Sequence, residues 1–233
     1  PKGNGFVDYV LWDDNGKPLG LIEAKRTSAN PEQGKHQATL YADCLEAEFN
    51  QRPVIFYSNG YTTNLWDDCF YSAPRRVHGF YTKDELRWLI QQRESRQDIR
   101  LTKPKLEIVN RPYQHIAIQR TFESFVVDGA NGLRGNKRKA LLVMATGSGK
   151  TRTAAALVDL LFKNNWVKRV LFLADRNPLV RQAKKSFGEH LGHLTSVNLG
   201  EEKEKTETRL VFSTYQTMIN KIDSIKGEEG RYY

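Results

Sequence analysis

The sequence predicts an α/β protein with two units, a mixed-sheet unit followed by a parallel, doubly wound unit. In the first part, short apolar runs flank turn residues and enclose one helical stretch. In the second part, strand-like and helical stretches alternate, as they do in a parallel sheet covered by helices. Residues 1–100 carry 13 Lys and Arg against 14 Asp and Glu, whereas residues 101–233 carry 23 against 13. The second unit is therefore expected to bind a polyanion such as nucleic acid.

In the first unit the predicted order is strand, strand, helix, strand, strand. Turn residues at 13–16 and the Asn59-Gly60 pair separate the strands of two hairpins. Pro31 lies near the predicted start of the helix. The predicted strands cover 6–12, 18–25, 54–58 and 63–66, and the predicted helix covers 31–49.

A charged amphipathic helix over 83–97 is predicted to close the first domain, which we place at 1–100. A stretch at 101–111 that contains Pro104 and ends before Pro112 is the predicted linker, and the second domain covers 112–233. That domain is expected to hold a glycine-rich loop after its first helix. Its predicted helices cover 113–127, 149–162, 178–190 and a short stretch after Thr214, and its predicted strands cover 140–144, 169–174 and 209–212.

Composition excludes several classes of protein. The longest apolar run, 140–145, is far shorter than the roughly 20 residues of a membrane span, and no leader-like segment is visible. We therefore expect a cytoplasmic protein without membrane partners. Cys44 and Cys69 have no metal-ligand spacing, so neither a disulfide framework nor a zinc site is predicted.

A phosphate-binding loop is predicted between the strand at 140–144 and the following helix. The segment A-T-G-S-G-K-T, residues 145–151, supplies Gly147 and Gly149 for close approach of main-chain N–H groups to phosphate. Lys150 is expected to reach the terminal phosphates of ATP, and the Thr151 hydroxyl to ligate Mg²⁺. Met144 stands where the full motif has its first glycine. The predicted ATP contacts in this loop are Thr146, Gly147, Ser148, Gly149, Lys150 and Thr151.

Arg111, Tyr113 and Gln114 precede this loop by one helix. A glutamine amide can pair with an adenine edge and a tyrosine can stack on the base, so these residues are predicted to contact the nucleotide. An ordinary helix start is the alternative explanation of the segment R-P-Y-Q.

Two further loops follow strands and are expected at the same sheet edge as the phosphate loop. Their polar groups suit contacts with a nucleic-acid backbone, although helix capping by Asp175, Ser213 or Thr214 explains them equally well. The predicted DNA contacts are Asp175, Arg176, Asn177, Thr214 and Gln216.

The segments A-T-G-S-G-K-T, F-L-A-D-R and V-F-S-T-Y-Q-T resemble motifs I, Ia and Ib of superfamily 2 helicases and translocases. This resemblance implies a RecA-like motor domain, incomplete here because the acidic motif II does not follow.

A carboxylate and lysine cluster is predicted on the first hairpin. Glu23 and Lys25 are two residues apart on one strand and share a face, and pairing can bring Asp8 beside them. Two carboxylates can hold a divalent metal that activates water, with the lysine beside it. Gln37 and Tyr41, at positions i and i+4 of the helix, can face the same cleft. The alternative is an exposed cross-strand ion pair.

The segments F-V-D-Y-V-L, P-L-G-L-I-E-A-K-R and Q-A-T-L-Y-A resemble the PD-(D/E)xK nuclease fold in motor subunits of type I restriction enzymes. The resemblance implies a restriction-endonuclease-like domain, N-terminally incomplete, in which Asp8 and Glu23 bind metal, Lys25 is catalytic, and Gln37 and Tyr41 support the site or contact DNA. It also implies ATP and Mg²⁺ as cofactors, double-stranded DNA as substrate, and specificity and methyltransferase subunits as partners. S-adenosylmethionine would serve those partners and is not expected to bind here.

The function predicted from the sequence is ATP-dependent translocation and cleavage of duplex DNA by a type I restriction subunit. Another nuclease-motor fusion, such as a type III restriction or repair enzyme, is the nearest alternative. A non-catalytic module in which ATP regulates DNA binding is the alternative from a different class.

Overall fold

The computed structural model describes residues 6–130, 132–205 and 207–225. The chain divides into two compact units, one of residues 1–95 and 128–136 and the other of residues 96–127 and 137–233. The division therefore lies nearer the N-terminus than the linker predicted at 101–111, and the short segment 128–136 belongs to the first unit. No helix in the described ranges combines the length and the apolar composition needed to cross a bilayer.

The first unit is a five-stranded mixed sheet with one helix on each face. Strand order follows the chain, and the parallel pair β2 and β3 is flanked by antiparallel neighbours. Its elements are β1 (Tyr9–Trp12), β2 (Pro18–Ala24), α1 (Gln33–Phe49), β3 (Val54–Ser58), β4 (Thr63–Trp66), β5 (Arg75–Val77) and α2 (Lys83–Ser95). The predicted mixed sheet is confirmed.

Strand alternation divides the core of the first unit into two layers. Leu21, Ile55 and Tyr57 face α1, where small residues of that helix let it lie close to the sheet. Val54 and Phe56 face the opposite layer, which is covered by α2. Glu23 pairs with Tyr57 in the parallel register, and its side chain therefore lies on the α1 face at the carboxyl end of β2.

The second unit holds a three-stranded parallel sheet in the order β8, β10, β9. Helix α5 covers it, and the ring of Phe187 packs edge-on against Phe172 and Phe212 at centroid distances of 5.7 and 5.3 Å. In chain order, the helices and strands after α2 are α3 (Pro112–Phe125), β6 (Val126–Gly129), β7 (Gly132–Gly135), α4 (Lys150–Lys163), β8 (Val170–Ala174), α5 (Asn177–Leu191), β9 (Ser196–Asn198), β10 (Leu210–Thr214) and α6 (Tyr215–Ile225). A short 3₁₀ helix covers Ile99–Leu101.

Two predictions of secondary structure are wrong. The run 140–144 is not a strand, because no strand in the described part of the chain hydrogen-bonds to it. Leu141 and Val143 are accordingly 88% and 87% exposed. The segment predicted as a glycine-rich loop instead holds the two-stranded pair β6 and β7. Strands β5 and β9 were not predicted, since three residues carry too little alternation to identify a strand.

Candidate functional site

The charged side chains at the end of β2 form a tight cluster with α1. Glu23 is 2% exposed, and its Oε1 accepts a hydrogen bond of 2.6 Å from Nζ of Lys25. The same ammonium donates at 2.8 Å to Oε1 of Gln37. Lys25 is therefore held between a carboxylate of the sheet and an amide of the helix. This is a partly buried network, whereas the alternative prediction was an exposed surface ion pair.

Asp8 and Tyr41 extend the cluster on its two sides. The backbone N–H of Ala24, between Glu23 and Lys25, donates to Oδ2 of Asp8 at 2.7 Å. On the helix, Nε2 of Gln37 donates to the hydroxyl of Tyr41 at 2.9 Å. The structure thus brings together all five predicted residues of the carboxylate and lysine site.

The donor set suits a divalent cation. Glu23 Oε2 is buried and has no hydrogen-bond partner, which is costly for a carboxylate oxygen unless a cation neutralises it. Asp8 is exposed and reaches the same strand end. Within residues 6–130, 132–205 and 207–225, this cluster included, no group of three or more His, Cys, Asp or Glu side chains has the arrangement of a metal site, so the cluster offers two carboxylates and no third such ligand. Glu23 and Asp8 are the two carboxylates at this strand end that could hold a divalent cation.

The predicted phosphate loop has two glycines in the left-handed region of backbone conformation and is followed by a helix, although the strand predicted before it is absent. Gly147 and Gly149 have φ of 76° and 85°, values that favour glycine because a side chain would strain them. Helix α4 begins directly afterwards at Lys150, whose ammonium donates to the carbonyl of Ala145 at 3.1 Å. Ser148 Oγ donates to the same carbonyl at 2.6 Å. Thr146 and Thr151 flank these groups in the loop and the first turn of α4.

The residues predicted to contact the nucleotide base lie against this loop. Gln114 is buried, its Oε1 accepts from the Arg111 N–H at 3.3 Å, and its Nε2 donates to the carbonyl of Ser148 at 2.9 Å. The Tyr113 hydroxyl donates to the same carbonyl at 3.0 Å, and the Arg111 guanidinium reaches the Gly147 carbonyl at 3.3 Å. A Cβ on Gly149 would overlap the Gln114 amide. Gln114 thus joins α3 to the loop, and its contact with adenine stays a prediction.

The predicted DNA contacts lie at the carboxyl edge of the parallel sheet. Asp175, Arg176 and Asn177 are exposed where β8 passes into α5, and Gln216 is exposed at the start of α6. Thr214 is buried, and its Oγ1 accepts from the Thr217 N–H at 3.1 Å. Thr214 therefore caps α6, which was the alternative explanation for this residue, and DNA contact by all five residues stays a prediction.

Sequence reasoning missed three residues beside the carboxylate and lysine cluster. The Tyr57 hydroxyl donates to Glu32 Oε1 at 2.6 Å, and Gly34 lies against the side chains of Glu23 and Lys25. A tyrosine inside the apolar run V-I-F-Y-S was the available signal, because a buried hydroxyl needs a partner. The sequence did not identify the partner, which lies 25 residues away.

Comparison with known proteins covers both units. A family described as "Type III restriction enzyme, res subunit" matches residues 107–232, slightly more than half of the chain. The type I restriction enzyme EcoAI endonuclease subunit of Escherichia coli is 30% identical over 239 residues, covering 96% of this chain and 26% of that protein.

Other relatives have the same description. The type I restriction enzyme EcoKI endonuclease subunit of Escherichia coli K12 is 24% identical and covers 93% of this chain and 22% of its own length. A putative type I restriction enzyme MpnIIP endonuclease subunit, C-terminal part, of Mycoplasma pneumoniae is 31% identical over 49% of this chain. The chain spans about a quarter of the length of the two Escherichia coli relatives. It therefore belongs to the restriction-enzyme res subunit family, and along most of its length it matches endonuclease (R) subunits of type I restriction enzymes.

Proposed function

We propose that the chain provides the nuclease and the first part of the motor of a type I restriction subunit. One observation carries this proposal: the same chain holds a partly buried carboxylate and lysine cluster in its first unit and, in its second, a G-S-G-K-T loop with two left-handed glycines before a helix. The relatives that align with both units are named as type I endonuclease subunits. This supports a type I enzyme over the type III alternative, although the description of the matching family names type III.

In this proposal the first unit is a restriction-endonuclease-like domain that hydrolyses phosphodiester bonds of duplex DNA. When bound by Asp8 and Glu23, Mg²⁺ would lower the pKa of a coordinated water and neutralise charge on the scissile phosphate. Lys25 would orient the attacking water or balance the phosphate charge, since Glu23 and Gln37 fix the position of its ammonium. Tyr41 would hold Gln37 in place.

The second unit would be a RecA-like motor domain that binds MgATP. Gly147 and Gly149 would let main-chain N–H groups approach the phosphates, and Lys150 and Thr151 would contact the terminal phosphates and the magnesium. The exposed polar residues after β8 and at the start of α6 would hold the DNA backbone during translocation. ATP hydrolysis would pull duplex DNA past the enzyme.

Further partners follow from the same proposal. Target recognition would belong to a specificity subunit, and methyltransferase subunits that use S-adenosylmethionine would complete the complex. The complex would act in the cytoplasm, where chromosomal DNA and ATP are both available.

The proposal is tested by measuring ATP hydrolysis and plasmid cleavage in one preparation of the full-length protein with its partner subunits and Mg²⁺. We expect both activities. ATP hydrolysis without cleavage under any condition would remove the nuclease assignment, and cleavage without any DNA-stimulated ATP hydrolysis would remove the motor assignment.

A further prediction concerns the link between α3 and the phosphate loop. Gln114→Ala is expected to raise the KM for ATP about tenfold, because it removes the hydrogen bonds to Arg111 and Ser148 that join α3 to the loop. Steady-state ATPase assays measure this change. Gln119→Ala is the matched control, since Gln119 is exposed on the same helix and bonds only to Glu123. An unchanged KM in Gln114→Ala would show that the loop does not depend on this link.

A further inference from the structure

We infer that Glu32, Gly34 and Tyr57 are positioning residues that set the distance between helix α1 and the catalytic lysine. The inference rests on the proposed nuclease function of the first unit. Its physical basis is the segment 32–37, at the start of α1, which contacts the neighbouring strands β2 and β3 and Lys25 at three places. Those places are an anchoring hydrogen bond, a close packing contact and the hydrogen bond from Lys25 to Gln37.

The anchor is the hydrogen bond between Tyr57 and Glu32. Tyr57 is fully buried on β3, beside Glu23 in the parallel register, and its hydroxyl donates to Glu32 Oε1 at 2.6 Å. Glu32 immediately precedes α1, yet its side chain makes no capping bond to that helix. Burial and the bond to Glu32 raise the pKa of Tyr57, so the phenol stays protonated and donates at any physiological pH. The anchor therefore fixes the start of α1 to the sheet.

The close contact is made by Gly34. A Cβ at this position would lie 3.1 Å from Cγ of Glu23 and 3.3 Å from Cε of Lys25. These separations are shorter than the ordinary van der Waals contact between carbon atoms, about 3.5–4.0 Å. Because Glu23 is buried on a central strand, it has little room to move away. Glycine thus allows α1 to approach the site more closely than any other residue would.

The approach matters because Gln37 follows Gly34 by three residues, about one helical turn. Its Oε1 lies 2.8 Å from the Lys25 ammonium, and a shift of α1 by several tenths of an ångström would stretch this bond beyond useful length. Lys25 would then keep only its contact with Glu23 and would lose the orientation that Gln37 imposes. The anchor and the close contact therefore act through Lys25 and not on the DNA itself.

Two single substitutions in the full-length protein, assembled with its partner subunits, test the inference. Gly34→Ala and Tyr57→Phe are each expected to lower the rate of plasmid cleavage at saturating Mg²⁺ at least about tenfold, with ATP hydrolysis unchanged. Alanine forms helices more readily than glycine, so a loss in Gly34→Ala is not explained by failure of α1 to form. Wild-type cleavage by both variants would overturn the inference.

Matched controls test whether a loss of cleavage depends on the position of the substituted residue or only on its type. Gly188→Ala changes a helical glycine of α5 that has nothing within 4 Å of its would-be Cβ. Tyr61→Phe removes a hydroxyl from a tyrosine that is 80% exposed. Both controls are expected to cleave at the wild-type rate, and an equal loss in the controls would overturn the inference.

A double-mutant cycle with Gln37→Ala distinguishes a positioning role from a general structural one. If Gly34 acts by placing Gln37 against Lys25, then Gly34→Ala should reduce cleavage by less than about threefold in a Gln37→Ala background. Fully multiplicative losses would contradict the inference.

The variant Lys25→Ala, measured in the same assay, distinguishes failure of the proposed nuclease site from failure of the positioning role. Wild-type cleavage by Lys25→Ala removes the nuclease site itself, whereas its loss together with normal cleavage by Gly34→Ala and Tyr57→Phe removes only the positioning role.

Discussion

The substitution Lys25→Ala is expected to reduce DNA cleavage at least about 100-fold, to near background, because it removes the cation nearest the proposed reacting groups. The Lys25 ammonium is bound on one side by Glu23 at 2.6 Å and on the other by Gln37 at 2.8 Å, so its removal leaves both groups without this donor. ATP hydrolysis should be unaffected, since the phosphate loop belongs to the other unit. Plasmid cleavage and ATPase assays on the same preparation measure both effects.

Lys35→Ala is the matched control for this prediction. Lys35 lies on α1 in the same unit, but its ammonium sits over the ring of Trp66, 4.6 Å from the centroid, and not in the carboxylate cluster. We expect near-normal cleavage from this variant. Undiminished cleavage by Lys25→Ala would mean that the cluster is structural and that any nuclease activity comes from another part of the full-length protein.

The substitution Lys150→Ala is expected to reduce ATP turnover about 100-fold or more. Lys150 is the first residue of α4, and its ammonium already lies within the loop, near the carbonyls of Met144 and Ala145. In the proposed function it compensates charge on the terminal phosphates during hydrolysis. The rate of phosphate release in the presence of duplex DNA measures the loss.

Lys185→Ala removes a lysine from the same unit at an exposed position of α5 and should leave ATP turnover close to that of the wild type. If Lys150→Ala retained turnover, the nucleotide would bind elsewhere, and the segment at 145–151 would be an ordinary loop before α4.

Local patterns predicted most of the first unit because its strands are short, apolar and separated by strong turn signals. Strands β3 and β4 begin and end at the predicted residues, and α1 begins two residues after its predicted start. The same alternation placed Glu23 and Lys25 on one face, which the hydrogen bond between them confirms. Asp8 was expected beside them from hairpin pairing, and it bonds to the backbone of Ala24.

Features that depend on non-local partners were not predicted correctly. An apolar sequence at 140–144 favours a strand, but strand formation also requires a paired neighbour. The sequence did not reveal the two hydrogen bonds that the Gln114 amide makes with the Arg111 N–H and the Ser148 carbonyl, and its contact with adenine stays a prediction. The role of Gly34 depends on how closely α1 lies over β2, a distance that no local pattern encodes.

In the proposed function, DNA cleavage by the first unit requires ATP turnover by the second. Plasmid cleavage by the full-length protein with its partner subunits, with and without ATP, tests this claim most directly when wild type and Lys150→Ala are compared. We expect cleavage only by the wild type and only with ATP. Cleavage by Lys150→Ala, or by the wild type without ATP, would contradict the claim and indicate an autonomous nuclease beside an accessory nucleotide site.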